Sequence, residues 1–157
     1  MEPKLRPTAR VLLLDDADRL LLFRSVNESG RAFWFPPGGG IEPGEDAPAA
    51  ARREVAEETG LAGLELVAEV WRRRHVFDWH GVTYDLRERW FLARVPAFEI
   101  DTAGFEPVER DEITGHRWWT LPELHAATDD LVPRDLAQRL ETLLTAGPPA
   151  TPIEVGV

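Results

Sequence analysis

Residues 46–60 read DAPAAARREVAEETG, and this stretch constrains the chain more than any other. Asp46 suits a helix N-cap, Pro48 the first turn, and Gly60 a left-handed end. A helix advances roughly 100° per residue, so with Glu54 at zero, Glu58 lies at about +40° and Glu57 at about −60°. Ala50, Ala47 and Ala51 fall at about −40°, +20° and +60° on the same wheel. Three carboxylates therefore share the face of the small residues, while Arg52, Arg53 and Ala56 occupy the other side. A helix built for stability alone would bury the apolar side and turn its acids to water. Like charges one turn apart repel, partial burial adds to the cost, and acids near a helix C-terminus oppose its dipole. A cation must compensate. Carboxylate oxygens without nitrogen or sulfur partners favour a hard ion such as Mg²⁺, Mn²⁺ or Ca²⁺ over Zn²⁺. The competing reading of the helix alone is a solvated acidic end.

The run FWFPPGGGIEPGED precedes the helix. It is too rich in breakers for helix or strand, so the expectation is a long ordered loop. Its glycines would let backbone groups approach a phosphate closely. No G-K-[ST] follows, so it is not a Walker loop, and it could equally be a plain turn. Upstream, ARVLLLDD and LLLFRS read as a hairpin of buried strands about a turn. Downstream, residues 64–95 form two long β-rich segments around His80–Gly81, another hairpin. GHRWWTL is a further short strand. LPELHAAT and VPRDLAQRLETLL are helical, the second with Leu136, Leu140, Leu143 and Leu144 at helical spacing. The expected class is α+β, with a mixed sheet and helices packed on it. Residues 1–146 are taken as one domain and 147–157, rich in proline, as a flexible C-terminal tail.

Composition removes several kinds of chemistry. The 157 residues suit one domain with one real core. No apolar run approaches the roughly 18–20 residues of a membrane span, and the start has no signal-peptide pattern, so no membrane partner is expected. With no cysteine there is neither disulfide frame nor thiol chemistry, and a cytoplasmic location is the default. The net charge of −10 argues against a nucleic acid polymer as partner, though not against a small phosphorylated ligand held through a metal. Lys4 is the only lysine. Ser25 and Ser29 lie in no G-x-S-x-G elbow, and His75, His80, His116 and His125 form no H-E-x-x-H pair.

Taken together, the loop and helix resemble the Nudix (MutT-like) hydrolase family, whose signature is G-x5-E-x7-R-E-U-x-E-E-x-G-U, with U a bulky aliphatic residue. From Gly39 the chain supplies Glu45, Arg53, Glu54, Val55, Glu57, Glu58, Gly60 and Leu61, without departure. The order of elements over residues 7–145 agrees. The resemblance implies the Nudix α/β/α sandwich with a mixed β-sheet between helices. It implies a pyrophosphohydrolase that uses Mg²⁺ or Mn²⁺ and cleaves the pyrophosphate linkage of a nucleoside diphosphate derivative by water attack on phosphorus. By position, Glu57 and Glu58 would bind metal, with Glu54 a further ligand or the base. Arg53 and Glu45 would orient these carboxylates, and Gly39 would offer its carbonyl to a metal. A non-catalytic nucleotide-binding module on the same fold is the alternative, although the box has lost no carboxylate.

Members of this family often draw a distal acid from a late loop. Here EPVERDEITGHRWW offers Glu112 first and Glu109 next, alongside Glu106 and Asp111; an acidic surface loop is the plain alternative. Arg72 and Arg74 should share a strand face opposite Arg73 and could reach phosphates, as could Arg24, Arg87 and Arg89. Trp34, Phe35, Trp79, Tyr84 and Trp90 are candidates for a stacking surface, each with core packing as its competing role. ADP-ribose hydrolases often carry a proline, and dinucleoside-polyphosphate hydrolases a tyrosine, where this chain has Phe77–Asp78–Trp79. The substrate therefore stays open among nucleotides, nucleotide sugars and ADP-ribose. A homodimer is an expectation by resemblance alone.

Overall fold

A computed structural model describes residues 2–105 and 112–157. Its elements run β1 (Lys4–Leu14), β2 (Leu20–Val26), β3 (Ala32–Phe35), β4 (Gly38–Gly40) and α1 (Ala47–Thr59). Then follow β5 (Ala68–Trp79), β6 (Val82–Arg94), β7 (Ile113–Trp119), α2 (Leu121–His125), β8 (Asp130–Leu131), α3 (Leu136–Ala146) and β9 (Ile153–Val155). One mixed sheet contains all these strands in the order β8-β3-β2-β1-β6-β5-β9, with β4 paired to β1 and β7 to β2.

The apolar run in β1 is continuous because both faces of the strand are covered. Leu12 and Leu14 face a core completed by Leu124 of α2 and by Leu136, Leu140 and Leu143 of α3. Val11 and Leu13 face the opposite core, with Ala47, Ala50, Ala51 and Val55 of α1. Helices thus lie on both faces of the sheet, as expected for the α/β/α sandwich. The stripe on α3 buries its apolar side, and each fully buried leucine contributes ~1.5–3 kcal/mol over an exposed one.

Several expectations are met in detail. Asp46 caps α1, its side chain accepting from Ala49 N at 2.8 Å, and Gly60 closes it at φ 80°. β5 and β6 are an antiparallel hairpin about His80 and Gly81. Other expectations are corrected. β1 and β2 do meet at a turn, where buried Asp15 accepts from Ala17 N, Arg19 N and Arg19 Nε. They pair only at Leu14–Leu20, however, so the two strands diverge rather than form a full hairpin. β1 spends its hydrogen bonds on β6, parallel along its whole length, and on β4. The glycine run was expected to be loop throughout. Instead Gly38–Gly40 pairs with Thr8–Arg10 as a strand.

The tail is likewise corrected from a loose segment to an ordered one. Ile153–Val155 adds a parallel edge strand to Trp71–Arg73, and Val155 is buried. Its signal was three residues of alternating character after a proline, too short to separate from coil by pattern.

Candidate active site

The split of β1 between β4 and β2 creates the site. Beside it β4 runs past the C-terminal half of α1, so the glycines face the glutamates. A Cβ added to Gly39 would lie 2.5 Å from Glu54 Cδ and 2.7 Å from Glu54 Oε2. Only a residue without a side chain lets the Glu54 carboxylate rest there. Gly38 N donates to Glu58 Oε1 at 2.7 Å, which satisfies part of a residue only 1% exposed. Glu54 is 7% exposed, whereas the Glu57 side chain is 32% exposed at the rim. Gly104 packs on the backbone of Glu57, since a Cβ there would sit 2.5 Å from the Glu57 carbonyl oxygen.

Arg53 is the hub of the cluster. Its Nε and Nη2 donate to the two Glu45 carboxylate oxygens at 2.9 Å each, and Nη2 also donates to Gly40 O at 2.9 Å. Nη1 donates to Glu54 Oε1 at 3.0 Å and to Glu57 Oε2 at 3.4 Å. The helical wheel had placed Arg53 on the far side of α1. The guanidinium instead reaches back among the acids, because Arg53 and Glu57 are one turn apart and the long side chain spans the gap. Hydrogen bonds from Arg53 hold the Glu45 carboxyl down at about 2, helped by the Glu42 N–H. The same bonds from Glu45 raise Arg53 further above the usual guanidinium range.

The donor set here is oxygen only: the carboxylates of Glu54, Glu57 and Glu58, with the Gly39 backbone packed against Glu54. That chemistry fits Mg²⁺ or Mn²⁺. Among the described residues, no three Asp, Glu, His or Cys side chains already converge on one point, so the donors are neighbours rather than a closed cage. Glu112 is exposed, and its backbone carbonyl accepts from Ser25 Oγ at 2.8 Å. Glu106, Glu109 and Asp111 lie outside the described residues.

The proposed recognition residues divide by burial. Arg72 and Arg89 share Glu69, and Arg74 and Arg87 share Asp85, all on one face of the β5–β6 hairpin. Arg24 bonds Thr114 Oγ1 at 3.0 Å. Trp90 and Trp34 are buried in the core below α3. Tyr84 lies beside Phe77 and Trp79, with the Arg6 guanidinium 5.3 Å from its ring centre. Two groups escaped the sequence reading: Arg10 and Glu88. Arg10 interrupts the apolar pattern of β1, and that break was the available signal.

Comparison with known proteins gives the family and the fold. The NUDIX domain model matches residues 4–140. The RNA pyrophosphohydrolase of Novosphingobium aromaticivorans is 31% identical over 132 residues, covering 75% of this chain and 78% of that protein. The RNA pyrophosphohydrolase of Caulobacter vibrioides is 33% identical over 136 residues, covering 77% and 75%. Among solved structures, a MutT protein from Methanosarcina mazei shares the fold at a TM-score of 0.67 and 20% identity, over 92% of this chain and 99% of that one. With the box helix, the glycine strand and the mixed sheet in place, the chain belongs to the Nudix hydrolases, enzymes that cleave phosphorus-containing acid anhydrides.

Proposed function

We propose that this enzyme hydrolyses the pyrophosphate linkage of a nucleoside diphosphate joined to a further moiety, with Mg²⁺ or Mn²⁺ as cofactor. The observation that carries this reading is the oxygen-only cluster of Glu54, Glu57 and Glu58 against the glycine strand. Glu57 and Glu58, with the Gly39 carbonyl, would hold the ion. A bound divalent ion neutralises the diphosphate and lowers the pKa of a water molecule. Water attacks phosphorus in line; a new P–O bond forms as the bridging P–O bond breaks, and the bridging oxygen leaves with its phosphoryl group. Glu54 serves as a further ligand or accepts the proton from the water. Arg53, held by Glu45, keeps the Glu54 and Glu57 carboxylates oriented. We assign Glu112, directly ahead of β7, as the distal acid of this reaction.

The names of the relatives favour a second reading of the substrate, the 5′ end of an RNA. The net charge of −10 weighs against broad affinity for RNA, and a 5′ end needs only its terminal phosphates bound. A panel of nucleoside triphosphates, nucleotide sugars, ADP-ribose and a short 5′-triphosphorylated RNA separates the two, with products weighed after incubation with either metal. Cleavage confined to the RNA selects the second reading. No cleavage of any member rejects both in favour of a binding module. Glu57→Gln should lower turnover by a factor of roughly 100 or more while leaving folding intact; near wild-type rates would remove Glu57 from the site.

A further inference from the structure

Arg10 sits in β1 directly opposite Gly38 of β4. Its Nη1 donates to Pro36 O and to Gly38 O, each at 3.2 Å. Gly38 is thereby gripped from both sides, because its N–H donates to Glu58 Oε1 at 2.7 Å. The fit allows no side chain at Gly38: a Cβ would come 2.8 Å from Arg10 Cα, and φ is 155°.

Arg10 is itself fixed from behind. Its Nε donates to Glu88 Oε2 at 3.2 Å, and Glu88 is 3% exposed. The other Glu88 oxygen accepts from Arg73 Nη1 at 2.7 Å and from Trp90 Nε1 at 3.3 Å. Arg73, 5% exposed, donates onward through Nε to Gly156 O at 3.1 Å, which ties the row to the segment after β9. A continuous line of hydrogen bonds thus runs from Gly156, just past the C-terminal strand, through Arg73, Glu88 and Arg10 to the glycine strand and Glu58.

Three buried or half-buried charges are a poor source of stability. Desolvation of such groups commonly offsets their attraction, and apolar residues of similar size do as well or better. Their worth lies in fixing position. Arg10 uses its planar fork to hold three oxygens at once, a task for which lysine has the wrong shape.

We infer that Arg10, locked by Glu88 and Arg73, is a positioning residue that sets the place of the glycine strand and, through Gly38, of the Glu58 carboxylate. The inference rests on the pyrophosphohydrolase reading only for its effect on rate; the effect on the strand is independent of it. Arg10→Met leaves Glu88 still paired with Arg73, so the interior keeps a balanced ion pair.

The test joins kinetics to NMR on the full chain. With whichever panel substrate the wild type cleaves, Arg10→Met should lower kcat about 100-fold, the scale of a small misplacement. KM should stay within about threefold, since no substrate contact is removed. In amide spectra recorded without substrate, the Gly38 signal should shift while signals from α3 stay in place. An unmoved Gly38 amide overturns the inference, and so does a kcat within about threefold of wild type. A raised KM with unchanged kcat also overturns it, making Arg10 a substrate-binding group. Should Arg10→Met fail to fold, Arg10→Lys takes its place, and the same Gly38 shift is required because a single ammonium cannot span Glu88 and the two carbonyls, which Arg10 reaches with two separate nitrogens. If the wild type cleaves nothing, the functional reading fails, and the Gly38 amide alone decides whether Arg10 positions the strand.

Discussion

Arg53 faces more negative charge than one guanidinium can neutralise, with Glu42, Glu45, Glu54 and Glu57 all within 4.0 Å. Its firmest partner is Glu45, which it holds ionised to about 2 from an ordinary 4.5. The carboxyl is depressed on folding, so the ionised pair stabilises the native state above about pH 4.5 and loses that effect as pH falls toward about 2. Glu45→Gln should therefore be less stable than wild type at neutral pH, and the two proteins should converge in acid. Urea denaturation at stepped pH measures this. A gap that is constant with pH would show that Glu45 acts by packing and not by charge. The resemblance gave Glu45 and Arg53 as residues that orient the other carboxylates, and the seven residues between them allow one bidentate contact only because the loop folds back over the first turns of α1.

At the scale of elements, β4 and α1 act as a unit. Gly39 has no left-handed requirement; its smallness matters only because the Glu54 carboxylate lies against it. Gly39→Ala should therefore fold with a melting temperature close to wild type, since the clashing group is the end of a movable side chain. Activity should nevertheless fall by a factor of about 10 or more as Glu54 is displaced. Comparing melting curves with turnover checks both halves. An active, stable Gly39→Ala would mean that Glu54 is not needed where it rests. The helix and its caps were legible in the sequence because capping is local chemistry. The glycine strand was not, because three glycines carry no apolar alternation, and their pairing partner lies some thirty residues earlier in β1.

For the whole molecule, the segment after α3 closes the far edge of the sheet. Removing residues 148–157 would uncover Trp71, unpair one edge of β5, and take the Gly156 carbonyl from Arg73. Loss of Val155 burial and of edge hydrogen bonds should cost about 2–4 kcal/mol, which urea titration of the truncated chain can read. A truncated chain of undiminished stability would return the segment to the status of a loose tail.

The family, the box helix with its caps, the β5–β6 hairpin and the identity of the acidic cluster were readable from the chain alone. These features depend on residues near one another in the chain, or on a spacing that a single helix converts directly into geometry. The parallel pairing of β1 with β6, the strand made of glycines, the docking of β9, and the line of charge from Arg73 through Glu88 to Arg10 emerged with the folded chain. Each of those joins residues distant in sequence, where hydrogen-bond partners are chosen by which strand edge is free and which buried charge lacks a counterion. No local pattern carries that information.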